Sequence, residues 1–205
     1  MNLARILYPV EVLGPGKRIG IWLCGCSRHC PECVSPELWQ PHPEYEIPAE
    51  RAAALLAELA SRHPVDGFTI TGGEPMEQAA DLYRLLQMLR TVSDDILIYS
   101  GYTLEQLREK DSPDIKGILA LTAVLIDGAY VDERNTGALL RGSVNQSLHI
   151  LNPAYRKAYK AYLLAAENHI QNFACVDGVV SVGIHKRRFR KNMESRLGGK
   201  QENWL

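Results

Sequence analysis

Short apolar runs alternate along the chain with longer stretches in which apolar residues recur at helical spacing. The runs are rich in isoleucine, leucine and valine, and this pattern predicts buried strands. The predicted strands cover residues 4–12, 18–24, 68–71, 96–99, 124–126 and 179–184, and residues 147–151 form a further short apolar run. The longer stretches predict helices over residues 48–62, 77–89, 104–109 and 154–170.

The order of these elements predicts the fold class. Strands that alternate with helices favour a sheet joined by crossover helices, so we expect an α/β fold with a mostly parallel sheet and a single domain over residues 1–205. In such sheets the segments that follow the strands meet at the carboxyl edge, where the chemistry collects. Polar or glycine-rich segments follow four predicted strands directly, namely the loop after Cys24, residues 72–75, residues 100–102 and residues 127–128.

Composition limits the class of protein further. Hydrophobic residues make up 46% and charged residues 23% of the 205, as in ordinary globular proteins. The formal net charge of −1 gives no global attraction to nucleic acid or to an anionic membrane, so neither is expected as a partner. We find no signal peptide and no apolar run near the roughly 18 residues that a membrane span needs. We therefore expect a cytoplasmic protein with reduced thiols.

The spacing of the cysteines gives the first specific indication of a metal or redox site. Four of the five fall within ten residues, at positions 24, 26, 30 and 33. Clustered thiols in a reducing compartment usually bind metal or carry out redox chemistry. From Cys26 the spacing is Cys-x3-Cys-x2-Cys, and three thiolates on so short a loop can hold one [4Fe–4S] cluster while one iron keeps no protein ligand.

Two other uses of this cysteine loop stay open at the level of the residues. A structural zinc site would need four ligands, and Cys24 or His29 could complete the set. An electron-transfer cluster with four cysteines would use Cys24 as its fourth ligand.

A glycine-rich turn, residues 71–75 (Thr-Gly-Gly-Glu-Pro), follows the next predicted strand of the sheet. Two glycines let the backbone leave a strand sharply and present bare amide groups, although a plain strand-to-helix turn can carry the same pair. The cysteine triplet followed by this turn resembles the radical S-adenosylmethionine superfamily, in which the turn binds the methionine amino group of that molecule.

The resemblance implies a cofactor, a reaction and a more detailed fold. Cys26, Cys30 and Cys33 would hold a [4Fe–4S] cluster, and S-adenosylmethionine would chelate its open iron. Reductive cleavage of S-adenosylmethionine would then give a 5′-deoxyadenosyl radical. The single domain would be a radical S-adenosylmethionine core, which is a partial, open β/α barrel.

Two downstream segments indicate which branch of the superfamily the chain resembles. Residues 127–130 (Asp-Gly-Ala-Tyr) and residues 140–146 (Leu-Arg-Gly-Ser-Val-Asn-Gln) resemble segments of the anaerobic ribonucleotide-reductase-activating enzymes, as do residues 99–103. This resemblance implies a glycyl-radical partner of the anaerobic ribonucleotide reductase type and flavodoxin or ferredoxin as the reductant. Modification of a small molecule of the deazapurine type or of a peptide, and a non-catalytic electron carrier, stay open as alternatives.

The resemblance also implies a set of contacts to S-adenosylmethionine. In that set Asp127 could accept hydrogen bonds from a ribose or an ammonium group, and Arg141 could hold a carboxylate. Glu32 stands where many superfamily members have an aromatic residue beside the adenine, so only its backbone is expected to contact the nucleoside. The full set is Glu32, Cys33, Val34, Gly72, Gly73, Glu74, Ser100, Asp127, Arg141 and Ser143.

The chain ends in a basic segment whose charges are concentrated between residues 185 and 191. We expect residues 185–205 to form a flexible tail, because charge runs at chain ends are usually solvated. The alternative is a docking surface for an acidic protein or a nucleotide.

Overall fold

The computed structural model describes residues 1–175 and 178–196. The strands are β1 (Leu3–Val10), β2 (Arg18–Leu23), β3 (Gly67–Gly72), β4 (Ile96–Ser100), β5 (Val124–Asp127), β6 (Ser147–Ile150), β7 (Ile170–Cys175) and β8 (Gly178–Gly183). The α-helices are α1 (Ala49–Arg62), α2 (Ala79–Leu89), α3 (Leu104–Glu109), α4 (Pro113–Leu121), α5 (Arg156–Ala165) and α6 (Phe189–Arg196). None of these described helices has the length and apolar character that a membrane span requires.

The main sheet has six strands in the order of the sequence, from β1 to β6. The four central strands, β2 to β5, are parallel to one another, whereas β1 and β6 pair antiparallel with β2 and β5 at the two edges. The predicted α/β class with a mostly parallel sheet is therefore confirmed. The sheet is not closed, and the partial barrel stays a prediction.

The central strands are buried on both faces, which is why they read as continuous apolar runs. On one face of β2, Ile19 and Ile21 join a core that helices α1 to α4 supply with leucine, alanine and isoleucine. On the other face, Trp22 packs with Val180 and Val182 of β8. The hairpin of β7 and β8 therefore covers the face that the first four helices leave open.

A buried polar network fastens the amino ends of the central strands. Arg18, at the start of β2, is fully buried and donates hydrogen bonds to Thr69 Oγ1 at 2.7 Å, to the Phe68 carbonyl at 2.6 Å and to Asp95 Oδ2 at 2.8 Å. The Tyr159 hydroxyl of α5 donates to Asp95 Oδ1 at 2.8 Å. A buried guanidinium is tolerated only with such partners, so this network fixes α5 against the sheet.

The structure corrects several predicted boundaries. The helix expected over residues 154–170 ends at Ala165, and Ile170 begins β7, a strand that was not predicted. Helix α4 was also not predicted. The segment expected to be a flexible tail from residue 185 contains α6, while residues 197–205 lie outside the described part of the chain, so the flexibility of the tail stays a prediction.

Candidate metal centre

One cavity at the carboxyl edge of the sheet is lined by most of the residues that the sequence singled out. The loop after β2 contributes thiols, and the ends of β3 and β4 contribute the glycine turn and a serine. The predicted residues that line this cavity are Cys26, Cys30, Glu32, Cys33, Val34, Gly72, Gly73, Glu74 and Ser100. These strand ends therefore lie together at one edge of the sheet, as expected.

Backbone hydrogen bonds shape the cysteine loop. The amide of Gly25 donates to the Leu38 carbonyl and that of Cys26 donates to the Trp39 carbonyl, both at 2.8 Å. Within the loop the Cys33 amide donates to the Cys30 carbonyl at 3.1 Å. These bonds fold the loop back on itself, so its three thiol-bearing residues line the same cavity.

The residues around the thiols fit an iron–sulfur cluster. Burial raises the pKa of the Cys26 and Cys33 thiols, a cost that binding of a cation offsets because it favours the thiolate. Trp39 lines the same cavity, and its buried indole N–H opposes the rise in the pKa of the Cys33 thiol. Cluster sulfurs accept hydrogen bonds, so this N–H is matched to a cluster in the cavity.

The two candidates for a fourth ligand lie in other environments. The Cys24 thiol is buried and donates to the Gln40 carbonyl at 2.7 Å, and Cys24 does not line the cavity. The His29 ring packs on Trp39 with centroids 4.7 Å apart. Among residues 1–175 and 178–196, no three histidine, cysteine or acidic side chains converge on a position for a single metal ion. A cubane does not need that convergence, because each thiolate binds a different iron.

The glycine turn packs against the start of the cysteine loop. The Gly73 amide donates to the Leu23 carbonyl at 2.7 Å, and the Glu74 amide donates to the Gly25 carbonyl at 2.8 Å. A Cβ atom at Gly73 would overlap the Gly25 carbonyl oxygen, and Gly72 has a φ of +105°. The two glycines are therefore required for this close backbone contact, and their contact with a ligand stays a prediction.

Glu74 ties the ends of two strands together. Its buried carboxylate accepts hydrogen bonds from the Met76 amide at 3.0 Å, the Ser100 hydroxyl at 2.9 Å and the Gly101 amide at 2.7 Å. Burial raises the pKa of Glu74, while the hydrogen bonds from Met76 and Gly101 oppose this effect. Both carboxylate oxygens are already engaged, so Glu74 shapes the cavity by joining β3 to β4.

Asp127 lies at the carboxyl edge but does not line the cavity. Its Oδ2 accepts a hydrogen bond from the Leu104 amide at 2.6 Å and lies 2.9 Å from His149 Nε2. Its Oδ1 accepts a hydrogen bond from the Ser147 amide at 3.2 Å. The carboxylate thus joins β5 to α3 and β6, and its predicted contact with S-adenosylmethionine stays a prediction.

Arg141 and Ser143 are also absent from the cavity lining. Arg141 donates to the Gln146 carbonyl at 3.3 Å, and the buried Ser143 hydroxyl accepts a hydrogen bond from the Val131 amide at 3.1 Å. These contacts hold the loop between β5 and β6 in shape. Gly142 and Gln146, which flank Ser143 in the same loop, reach the cavity.

Sequence reasoning missed one whole side of the cavity. Residues 181–190, from β8 and the segment after it, supply a large part of the lining. The sequence indicated a strand over residues 179–184 and a basic segment after it. It did not place them beside the cysteine loop, because no local pattern specifies that tertiary contact. Other lining residues that were missed include Arg28, Trp39, Tyr99, Tyr130 and Asn135, whereas Gln146 lies in the segment of residues 140–146 that the sequence singled out.

Comparison with known proteins gives one family and a consistent group of relatives. The model of the 4Fe-4S single cluster domain family matches residues 12–149. The anaerobic ribonucleoside-triphosphate reductase-activating protein of Vibrio cholerae is 31% identical over 150 residues, which cover 69% of this chain and 94% of the relative. Proteins of the same name are 30% identical in Salmonella typhimurium, over 70% of this chain and 96% of the relative, and in Enterobacteria phage T4, over 72% and 93%.

Proposed function

Because the chain belongs to the 4Fe-4S single cluster domain family and is a relative of the anaerobic ribonucleoside-triphosphate reductase-activating proteins, we propose that it is a radical S-adenosylmethionine enzyme that installs a glycyl radical on an anaerobic ribonucleotide reductase. The observation that carries this proposal is the single cavity shared by the three thiols and the glycine turn. The three predicted cluster ligands line the same space as the glycine turn, whereas Asp127, Arg141 and Ser143 lie outside it.

Cys26, Cys30 and Cys33 are the proposed cluster ligands, and the Trp39 indole would donate a hydrogen bond to a cluster sulfur. A reduced cluster held there would supply the one electron that cleaves S-adenosylmethionine to methionine and a 5′-deoxyadenosyl radical, and this radical would abstract hydrogen from a glycine of the partner. The protein supplies the position of the ligand and a site that excludes water.

We assign the contacts with S-adenosylmethionine to the predicted residues that line the cavity. Gly72, Gly73 and Ser100 present backbone groups and a hydroxyl at the ends of β3 and β4, and the cysteine loop adds the backbone of Glu32 and Val34. Asp127, Arg141 and Ser143 belong to the site as positioning residues. Their hydrogen bonds fix the segments that carry Gly128 and Gln146 to the cavity.

The partner is proposed from the names of the relatives, which activate an anaerobic ribonucleoside-triphosphate reductase. We also propose an electron donor of the flavodoxin or ferredoxin type, because the [4Fe–4S] cluster that the family match supports takes up one electron at a time. Such a donor would reduce the cluster by one electron.

The test is an anaerobic assay in two stages. The protein is reconstituted with iron and sulfide, reduced with dithionite or flavodoxin, and given S-adenosylmethionine. We expect 5′-deoxyadenosine, and then a protein-based glycyl radical signal in electron paramagnetic resonance when an anaerobic ribonucleotide reductase is added. A fully loaded cluster that forms no 5′-deoxyadenosine would refute the enzymatic proposal. Formation of 5′-deoxyadenosine without a radical on the reductase would refute only the partner.

A further inference from the structure

Residues 181–191, here called the outer wall, lie beyond the part of the chain that the family model matches. The match ends at residue 149, whereas the outer wall follows from β8 into α6. It nevertheless borders the cavity that contains the three thiols. This chain therefore completes its cavity with a segment outside the matched family region.

Ion pairs attach the outer wall to the cysteine loop and to the loop after β5. Each pair joins a basic residue of the wall to an acidic residue of the matched region. The pairs are Lys191 with Glu32, Arg190 with Glu37 at 3.7 Å and Arg187 with Asp132 at 2.8 Å. A hydrogen bond from the Asn135 side chain to the His185 carbonyl, at 2.9 Å, adds to them. Three of the five lysine and arginine side chains between residues 185 and 191 are thus paired within the chain.

The outer wall explains two features that the sequence left separate. Glu32 precedes the cluster ligand Cys33, and its carboxylate pairs with Lys191, which is 159 residues away. An acidic residue at position 32 is therefore the anchor of the wall. Lys191 is the last residue of the basic run at residues 185–191, so this run and the acidic residue before Cys33 belong to one contact.

An aromatic pair faces the cavity from the outer wall. The rings of His185 and Phe189 have centroids 4.1 Å apart, and both residues line the cavity. Burial lowers the pKa of His185 to about 4, so the ring is uncharged at neutral pH. The other aromatic rings of the lining are engaged elsewhere: Trp22 and Tyr99 in the core clusters, Trp39 on His29, and Tyr130 against Gly142.

We propose that the outer wall forms one side of the S-adenosylmethionine site and that the His185–Phe189 pair packs against the adenine. This proposal rests on the proposed function. The purine ring is planar and apolar on its faces, so an uncharged aromatic surface is its natural contact. The polar carboxyl edge then remains for the amino acid part of the molecule.

Equilibrium dialysis of S-adenosylmethionine against the reconstituted, oxidised protein tests the aromatic contact. We expect Phe189→Ala to bind about tenfold more weakly than the unsubstituted protein, with its iron content unchanged. Leu164→Ala, which shortens an exposed apolar side chain of α5, is the matched control and should bind normally. If Phe189→Ala fails to fold, Phe189→Leu keeps apolar volume and removes the ring. Binding by the ring variants within about twofold of the unsubstituted protein overturns the proposal.

A charge exchange tests the attachment of the wall. Glu32→Lys and Lys191→Glu each place like charges together, so each should weaken binding roughly threefold, and the double exchange should restore it. The exchange of Glu58 and Arg62, an exposed pair on α1, serves as the control. A double variant that binds no better than either single variant contradicts the attachment. Failure of the unsubstituted protein to bind S-adenosylmethionine would instead refute the proposed function.

Discussion

At the scale of single residues, the four clustered cysteines divide into two environments. Cys26, Cys30 and Cys33 line the cavity, while the thiol of Cys24 is buried and donates to a backbone carbonyl. We expect Cys24→Ser to keep its iron, because serine can make the same hydrogen bond and no cluster ligand is lost. We expect Cys30→Ser to lose most of its iron, because a neutral hydroxyl is a poor ligand for iron.

The measurement is iron and sulfide per protein after anaerobic reconstitution. Cys175→Ser is the control, since that thiol is exposed and far from the loop in sequence. If Cys24→Ser strips the iron, the cluster uses four protein ligands and has no open iron for S-adenosylmethionine.

Glu74 provides a second test at this scale. Glu74→Gln places an amide NH2 group where the carboxylate accepts hydrogen bonds from Met76, Ser100 and Gly101, so one buried donor loses its partner. We expect a loss of about 1–3 kcal/mol in the free energy of unfolding, measured by urea denaturation of the apoprotein. Glu105→Gln, on the exposed side of α3, should change it little. A Glu74→Gln protein as stable as the original would show that the carboxylate does not join β3 to β4.

The sequence could place residues at the carboxyl edge of the sheet but could not predict which groups their side chains contact. Ser100 and the glycine turn were predicted there because they directly follow apolar runs, and they line the cavity. Asp127 follows a strand in the same way, yet its carboxylate is used by backbone amides of α3 and β6. The pair of Glu32 and Lys191 depends on the tertiary fold, so no local pattern contains it.

At the scale of elements, burial decides what the sequence can predict. The central strands were predicted because they are buried on both faces. Strand β7 is exposed at most positions and contains Gln171 and Asn172, so it lacks the apolar signal of a strand. Helix α4 is short and its last four residues are all apolar, which hides its helical period, although Ser112 and Pro113 are helix-start signals.

The outer wall should respond to pH through His185. Its folded pKa, about 4, lies below the ordinary 6.5, so its contribution to stability is complete above pH 6.5 and is lost as the pH falls towards 4. Asp132, which faces the same segment, stays ionised over this range: burial raises its pKa, but hydrogen bonds from Arg187 and Tyr130 lower it further. We therefore expect the outer wall to loosen between pH 7.5 and pH 5.

Hydrogen–deuterium exchange of residues 181–191, corrected for the intrinsic pH dependence of exchange, measures this loosening. His185→Gln should remove most of the pH dependence, because the side chain no longer titrates. Glu37, whose pKa is raised by burial and which pairs with Arg190, accounts for the remainder. His63→Gln, at an exposed histidine after α1, should retain it. Equal protection of the unsubstituted protein at both pH values would show that His185 does not control the wall.

At the scale of the whole molecule, the carboxyl ends and the amino ends of the parallel strands have different roles. The carboxyl edge carries the cavity, and the amino edge carries the buried network of Arg18, Asp95 and Tyr159. Strand β4 runs between them, and its five residues span about 16 Å. Because α5 leads into the hairpin of β7 and β8, the network also anchors the part of the chain that ends in the outer wall.

This separation predicts that stability and ligand binding respond to different substitutions. Asp95→Ala leaves the buried Arg18 guanidinium without its carboxylate and should cost about 3–5 kcal/mol in the free energy of unfolding. Tyr159→Phe removes only the hydroxyl that donates to Asp95 and should cost about 1–3 kcal/mol. The double variant Arg18→Met, Asp95→Leu removes both charges together and should recover most of the loss.

Urea denaturation of the apoprotein gives the stabilities, and dialysis of the reconstituted Tyr159→Phe protein gives the affinity for S-adenosylmethionine. Because Arg18, Asp95 and Tyr159 do not line the cavity, the affinity should stay within about twofold while the stability falls. A large loss of affinity for S-adenosylmethionine in Tyr159→Phe would mean that a shift of α5 also displaces the outer wall. The two edges of the sheet would then be coupled through the C-terminal hairpin.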